Sequence, residues 1–160
     1  MTCKYGFQCW QHSIKNLGLK VKKSNIPEAG QGLFTAKEFE GKKNIIEYKG
    51  EKLTNQQINR RYPGDTLAPY AVRVNRKYHI DAAKSATSSI ARYANDAQES
   101  RTRRRNNANL VTHKVGKGGA RDKVFLKAKK NDIPPNTEVL VNYGDEYWGG
   151  ERAKSKKRKK

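Results

Sequence analysis

VNYGDEYW, residues 141–148, carries more information about the fold than any other short stretch of this sequence. It continues an apolar run and predicts a last strand over residues 139–143. Three aromatic residues, Tyr143, Tyr147 and Trp148, surround a Gly-Asp pair at which the backbone can bend. The stretch therefore either closes a core with aromatic rings or presents a phenol to a cleft.

Length and composition predict one small domain. A chain of 160 residues fits a single domain. Its hydrophobic fraction of 34% lies below the typical ~45–50% of globular domains. The core must therefore be compact, and much of the chain must be loop or solvated surface.

Net charge is the strongest bulk signal. The chain has 35 Lys and Arg against 15 Asp and Glu, a formal net charge of +20. Basic residues cluster in ESRTRRRN, residues 99–106, and in the tail KSKKRKK, residues 154–160. Such a field attracts polyanions, so nucleic acid or chromatin is the predicted neighbour. The tail is typical of nuclear-import signals and predicts a nuclear protein, although it also fits a nonspecific polyanion-binding arm.

Cysteine usage and hydropathy predict neither a metal site nor a membrane span. Cys3, Cys9 and His12 would supply three zinc ligands, but no fourth is evident. Two cysteines allow one disulfide and no framework, and the basic composition suits a reducing intracellular compartment. No apolar run approaches the ~18–20 residues of a membrane span.

Hydrophobic periodicity predicts a mainly β fold with short helices. Thr54 and Gln57 form a capping-box pattern that starts a short helix through about Arg61. Residues 25–34 are predicted to be turn-rich, and residues 84–98 lack a clean period. The predicted strands cover residues 17–24 and 44–51, a hairpin over 70–81, a second hairpin made of 109–115 and 123–129, and 139–143.

Single motifs leave structural explanations open. Residues 30–32, Gly-Gln-Gly, form only a G-x-G and favour a tight turn over a ligand loop. His79 and His113 lie in strand patterns and favour structural roles. Carboxylates are few, and no nucleophile–base pair stands out, which argues against glycosidase-type or metal-dependent polyphosphate chemistry.

In chain order, however, the motifs resemble one family. They are AGQGLF (29–34), EYKGE (47–51), Tyr70, YHIDA (78–82), ARYAND (91–96), NNANL (106–110) and VLVNYGDEYW (139–148). Their order and spacing resemble the SET-domain protein lysine methyltransferases from about Leu17 to Trp148. The resemblance implies a SET fold of small curled sheets over residues 17–148, with an N-terminal flank (1–16) and a basic tail (149–160). It also implies that the ARYAND and VNYGD segments cross as a C-terminal pseudoknot and build the active site together.

The same resemblance implies S-adenosylmethionine as cofactor and a target lysine that enters a narrow channel. Tyr143 matches the family's catalytic tyrosine, and Tyr48 matches the aromatic residue that walls the channel. Trp148 is implied to pack on the adenine. The other residues implied to contact the cofactor are Ala29, Gly30, Gln31, Gly32, Tyr70, Arg92, Asn95 and Asp96.

Several positions depart from the family pattern. Asp96 stands where the family usually has histidine, and no cysteine follows the last strand to build a zinc module. Val141 stands where relatives often carry Phe or Tyr, which leaves the number of transferred methyl groups open. A basic insertion at about 97–106 replaces a short link, and either contacts DNA or an acidic nucleosomal face or is a solvated loop. Its central cations are Arg103, Arg104 and Arg105.

The sequence thus predicts a protein-lysine N-methyltransferase with a histone as the expected substrate. Nucleosome or DNA contact is expected through the insertion and the tail. A non-histone basic protein would fit the same site. The alternative from another class is a catalytically silent chromatin or nucleic-acid-binding module on a SET fold. Asp96 and the insertion favour that alternative, whereas Tyr48, Tyr143 and Trp148 argue against it.

Overall fold

The structure is a computed structural model that describes residues 13–64, 66, 68–97 and 106–142. Short strands dominate these ranges, as the sequence predicts. The strands are β1 (Leu19–Lys23), β2 (Gln31–Thr35), β3 (Asn44–Glu47), β4 (Glu51–Thr54), β5 (Ala71–Arg73), β6 (Tyr78–Asp81), β7 (Ala108–His113) and β8 (Lys123–Ala128). The helical elements are α1 (Asn55–Arg61), a π-helical turn (Ser13–Leu17) and 3₁₀ turns at Ser85–Thr87 and Ile90–Tyr93. None of the helices in these ranges is long and apolar enough to cross a membrane.

The strands form three small antiparallel sheets. β1 pairs with β2, β8 lies between β3 and β7, and β6 lies between β4 and β5. All three sheets contribute to one hydrophobic core. Its members include Leu19 and Leu33 from the first sheet, Leu126 from the second and Ile80 from the third. The predicted fold class is therefore confirmed.

Side-chain bonds confirm two local predictions, the capping box at Thr54 and the hairpin over residues 70–81. The Thr54 hydroxyl accepts from the Gln57 amide nitrogen at 3.2 Å, and the Gln57 side chain accepts from the Thr54 nitrogen at 2.8 Å. This capping box starts α1. In the β5–β6 hairpin, the Asn75 side-chain oxygen accepts from the Lys77 and Tyr78 nitrogens and closes the turn.

The single strand predicted over residues 44–51 is wrong. β3 ends at Glu47, and β4, which begins at Glu51, joins a different sheet. The chain crosses between the sheets at Gly50, where a Cβ atom would lie 2.5 Å from the Asp81 backbone oxygen. Only glycine permits this close approach of two backbones.

The turn predicted over residues 25–34 is also too long. Gln31–Thr35 forms β2, in which Leu33 and Phe34 are buried and Leu33 pairs with Val21. The G-x-G pattern does not indicate this strand, because its partners lie elsewhere in the sequence. β2 pairs with β1 across the loop, and Phe34 forms a bridge with Glu138.

The predicted last strand is broken into single bridges in its described part. The bridges join Glu138 to Phe34, Leu140 to Asn95 and Val141 to Ala108. Because each residue pairs with a different segment, no ladder extends along one partner. The Val141 nitrogen donates to the Asn95 oxygen at 2.8 Å. The ARYAND segment and the run that leads to VNYGD therefore meet, as the resemblance implies.

Candidate active site

A cavity of about 370 Å³ lies where these segments meet. Its lining includes Tyr48 after β3, Tyr62 after α1, Arg92 in the second 3₁₀ turn and Val141 in the last run. The cavity thus draws residues from sequence regions far apart, including both segments expected to build the active site.

Tyr48 is a buried wall of this cavity. Its side chain is 6% exposed, and its hydroxyl donates to the Tyr70 backbone oxygen at 2.8 Å. Burial raises the pKa of Tyr48 well above its ordinary value, although the nearby Arg92 charge opposes this. The hydroxyl therefore stays protonated and acts as a fixed donor, and its ring provides an uncharged wall.

Arg92 is held against two aromatic rings. Its guanidinium carbon lies 4.1 Å from the centre of the Tyr70 ring and 5.0 Å from that of Tyr93. Its Nε atom donates to the Ala82 oxygen at 2.8 Å, and its Nη2 atom to the Ala83 oxygen at 3.3 Å. Cation–π contact and backbone bonds together fix the guanidinium beside Tyr70. Two predicted cofactor residues are thus in direct contact.

The predicted glycine loop is a tight turn before β2. Gly30 is exposed with φ +72°, and a Cβ atom there would meet nothing within 4 Å. The Ser24 nitrogen donates to the Gly30 oxygen at 2.8 Å and closes the loop. Ala29 packs on a small cluster that includes Leu140. The loop therefore has a fixed base and an open, side-chain-free edge.

Glu138 accepts hydrogen bonds from this loop, a role that the sequence did not predict. Its side chain is 3% exposed and accepts from the Ser24 hydroxyl at 2.5 Å and from the Asn25 nitrogen at 3.0 Å. Gly32 is buried against it, and a Cβ atom on Gly32 would stand 2.5 Å from Glu138 Oε1. Gly32 therefore makes room for a buried carboxylate. The signal in the sequence is a lone Glu beside an apolar run, which does not reveal its partners.

Asn95 joins the loop strand to the last run. Its side-chain amide donates to the Gln31 oxygen at 2.8 Å, while its backbone oxygen accepts from Val141. Since Asn95 follows Arg92 by three residues, it also connects the glycine loop to the Arg92–Tyr70 pair. One side chain thus holds the two groups of predicted cofactor residues together.

Asp96, the departure from the family pattern, binds the base of the insertion. Its side chain is largely buried, and Oδ1 accepts from the Asn106 side-chain nitrogen at 2.8 Å. Asn106 Oδ1 in turn accepts from the Ala97 nitrogen at 2.9 Å. The two ends of the basic insertion are thereby tied together. A cofactor contact by Asp96 stays a prediction.

A second buried carboxylate fixes Tyr62 at the cavity. Asp81 is fully buried, and its Oδ2 atom accepts from Tyr62 Oη at 2.8 Å and from Arg61 Nη1 at 3.0 Å. Arg61 also pairs with Glu51 at 3.0 Å. Burial and the bond to Asp81 raise the pKa of Tyr62 to about 12. This network anchors the end of α1 to β4 and β6.

The remaining predicted site residues lie outside the described ranges. The structure nevertheless places Val141, two residues before Tyr143, in the cavity wall. Within the described ranges no group of three or more His, Cys, Asp or Glu side chains is arranged to hold a metal ion. The predicted site residues outside these ranges are Tyr143, Trp148, Arg103, Arg104 and Arg105. Cys3, Cys9, His12 and the basic tail also lie outside them.

The chain belongs to the SET domain family, because the model of that family matches residues 30–144, more than half of its length. A similar solved structure is titled "ctPRC2 in an autoinhibited conformation bound to S-adenosylmethionine". The two share 23% identity with a TM-score of 0.65, over 89% of this chain and 17% of the neighbour. At this identity the likeness shows the fold alone. The chain spans less than a fifth of the length of the neighbour. No curated protein matches the chain.

Proposed function

We propose that this SET domain is an S-adenosylmethionine-dependent protein-lysine N-methyltransferase that acts on a histone lysine. The observation that carries the proposal is the junction at Asn95. This residue bonds to the strand after the glycine loop and to the run that leads to Tyr143. The junction adjoins a cavity walled by Tyr48 and Arg92. This arrangement supports a common site for the residues implied to contact the cofactor and the lysine.

The described residues fit the cofactor. The open edge at Gly30 lets a ligand approach the backbone closely. The Arg92–Tyr70 pair offers a cation for a carboxylate and an aromatic face for a flat ring. When bound, S-adenosylmethionine supplies an electrophilic methyl group on a positively charged sulfur.

The cavity favours the neutral form of an incoming lysine. A free lysine has a pKa of ~10.4 and is mostly protonated at neutral pH. Burial disfavours its charged form, and the walls contributed by Tyr48, Leu126 and Val141 carry no negative charge. The raised pKa of Tyr48 keeps that phenol neutral. The residues therefore favour a neutral amine without a dedicated base, and alignment in such a channel lowers a barrier by up to ~7–11 kcal/mol.

The substrate and location rest on charge. A formal net charge of +20 and a nuclear-import-type tail support a nuclear protein that meets chromatin. A histone is the basic protein substrate available there, and nucleosomal DNA offsets the repulsion between two basic proteins. DNA contact through the basic insertion is part of this proposal.

The test is transfer of a labelled methyl group to core histones, free and in nucleosomes. We expect label on lysine, and its loss in Tyr143→Phe while S-adenosylmethionine binding is retained. Tyr147→Phe is the matched control, because it removes a neighbouring phenol with no assigned role. Label on ribosomal or other basic proteins but not on histones would support the methyltransferase activity and contradict the histone as substrate.

A catalytically silent chromatin module is the second candidate, because Asp96 replaces the family histidine and its carboxylate is engaged with Asn106. Calorimetry with S-adenosylmethionine separates the two. In the transferase, Asp96→Ala should remove the hydrogen bond to the Asn106 side chain yet leave cofactor affinity within a few-fold. Absence of cofactor binding and of labelling in the parent chain would establish the silent module instead.

A further inference from the structure

The β5–β6 turn and the β7–β8 turn are connected by side-chain hydrogen bonds. The Asn75 side chain in the β5–β6 turn donates to the Gly119 oxygen and to Asp122 Oδ2, both at 3.0 Å. Asp122, before β8, is 4% exposed, and its Oδ1 atom accepts from the Val115 nitrogen at 2.9 Å. We call residues 73–77 with residues 114–122 the twin-turn tip. These partly buried hydrogen bonds connect its two halves.

Side chains of β4 and β7 donate hydrogen bonds to the backbone of the twin-turn tip. Lys52 on β4 donates to the Ala120 oxygen at 2.9 Å and to the Asp122 backbone oxygen at 2.5 Å. The Thr112 hydroxyl on β7 donates to the Val74 oxygen at 2.7 Å. Strands of two different sheets therefore support the tip, and its backbone is positioned before any ligand arrives.

The exposed side chains of the tip are strongly basic. The cations of the first turn are Arg73, Arg76 and Lys77, and those of the second are Lys114, Lys117 and Arg121. None of the six forms an ion pair with a carboxylate within the described part of the chain. The one acidic residue, Asp122, is turned inward against Asn75 and the Val115 nitrogen.

Another pair of turns lacks this excess. Residues 37–43 and 129–132 also lie together, since the Gly41 nitrogen donates to Asp132 at 2.7 Å. Their exposed lysines are accompanied by the exposed acidic residues Glu38, Glu40 and Asp132. Opposite charges at close range cancel much of the field there. The tip has six cations and one acidic residue, whereas these turns have five cations and three acidic residues, so the excess of positive charge is larger at the tip.

We propose that the twin-turn tip binds the phosphate backbone of a nucleic-acid duplex. Cations on two adjacent, pre-positioned turns can neutralise neighbouring phosphates, and each contact releases counterions. Gly116, Gly118 and Gly119 remove side chains from the second turn, which allows phosphates to approach its backbone. An acidic protein partner fits less well, because Val115 is the one large apolar side chain exposed on the described tip, whereas protein interfaces centre on buried aromatic or apolar anchors.

The experiment measures binding of the full chain to labelled DNA and RNA duplexes by fluorescence anisotropy as salt is varied. The variant R76Q/K77Q/K117Q removes three exposed tip cations, and K43Q/K129Q/K130Q removes three from the mixed-charge turns. The tip variant should lower the magnitude of the salt slope by about 2–3 units and weaken binding tenfold or more at low salt. The control variant should change binding only a few-fold. Equal affinity changes for DNA and RNA indicate phosphate recognition, and a DNA-only change identifies DNA.

Three outcomes overturn the proposal. One is an unchanged salt slope in the tip variant. Another is an equal loss in both variants, which would show that only total charge matters. The third is loss of binding to poly-glutamate without loss of duplex binding, which would assign the tip to an acidic protein. Circular dichroism checks that both variants keep the fold, which the exposure of all six replaced side chains leads us to expect.

Discussion

The side-chain amide of Asn95 donates to the backbone oxygen of Gln31 across 2.8 Å and 64 positions of sequence. The same residue accepts from Val141 through its backbone. The start of β2, the segment after the second 3₁₀ turn and the last apolar run are therefore connected through one residue, by its side chain and its backbone. Movement of any of the three changes the distance between the implied cofactor loop and the approach to Tyr143.

Asn95→Ala should weaken S-adenosylmethionine binding about tenfold, because a hydrogen bond of about 1–1.5 kcal/mol that orders the loop is lost. Titration calorimetry on the full chain measures the dissociation constant. Asn109→Ala on β7, an exposed asparagine, is the matched control and should bind as the parent does. An unchanged dissociation constant for S-adenosylmethionine in Asn95→Ala would show that the Asn95 junction is not part of the cofactor site.

Gly32→Ala should destabilise the fold by about 1–3 kcal/mol, because its new methyl group would overlap the held carboxylate of Glu138. Urea unfolding gives the free energy of unfolding. Glu138→Ala should also destabilise, since Ser24 and Asn25 then lose their acceptor.

The double variant separates this contact from general damage. Once Glu138 is shortened, the new methyl group of Gly32→Ala loses its overlap with the carboxylate and keeps only its 3.2 Å approach to Phe34 Cε2. Its own penalty should therefore shrink, and the coupling should reach about 0.5–3 kcal/mol. Strict additivity of the two single changes would mean that the overlap is relieved in some other way.

Ionisation of the Tyr62 phenol should lower the free energy of unfolding at alkaline pH. Its pKa is raised from 10.0 to about 12 in the folded state. A phenol with a raised folded pKa contributes stability that is fully present below the unfolded pKa and is lost as pH rises through the folded one. The free energy of unfolding should therefore fall across pH 10 to about 12.

Tyr62→Phe removes this titration, so the variant's unfolding free energy should fall less steeply in that window than the parent's. Urea unfolding at several pH values, with phenolate absorbance followed in parallel, makes the measurement. Tyr78→Phe, which removes a phenol of β6 that makes no hydrogen bond to Asp81, is the matched control. Identical slopes for Tyr62→Phe and the parent would show that burial and the bond to Asp81 do not raise the pKa of Tyr62 in the folded state.

Locally encoded features of the fold were predictable from the sequence. The capping box at Thr54 and Gln57 and the Asn75 turn depend on residues three positions apart or fewer. β-strand periodicity likewise located the two hairpins. The family resemblance, which used the order of several motifs, predicted the fold and the meeting of ARYAND with the last run.

Long-range partners were not predictable in the same way. Glu138 reads as an isolated acidic residue, and its bond to Ser24 spans 114 positions. The break between β3 and β4 depends on the contact between Gly50 and the Asp81 backbone, and the last run forms single bridges because it has three different partners. Each of these features is set by tertiary contacts, on which local propensity carries no information.

Val141 should control how many methyl groups the proposed transferase adds. Its side chain is 2% exposed and lines the cavity with Tyr48 and Leu126. Val141→Phe would fill space that a methylated amine needs, so the product distribution should shift toward fewer methyl groups, and Val141→Ile should shift it by a smaller step. Mass spectrometry of the modified substrate counts the groups directly. Because overpacking also costs about 1–3 kcal/mol, the unfolding free energy of each variant is measured alongside. A reduced total rate with an unchanged ratio of mono-, di- and trimethylated product would attribute the effect to damage and not to the space beside the amine.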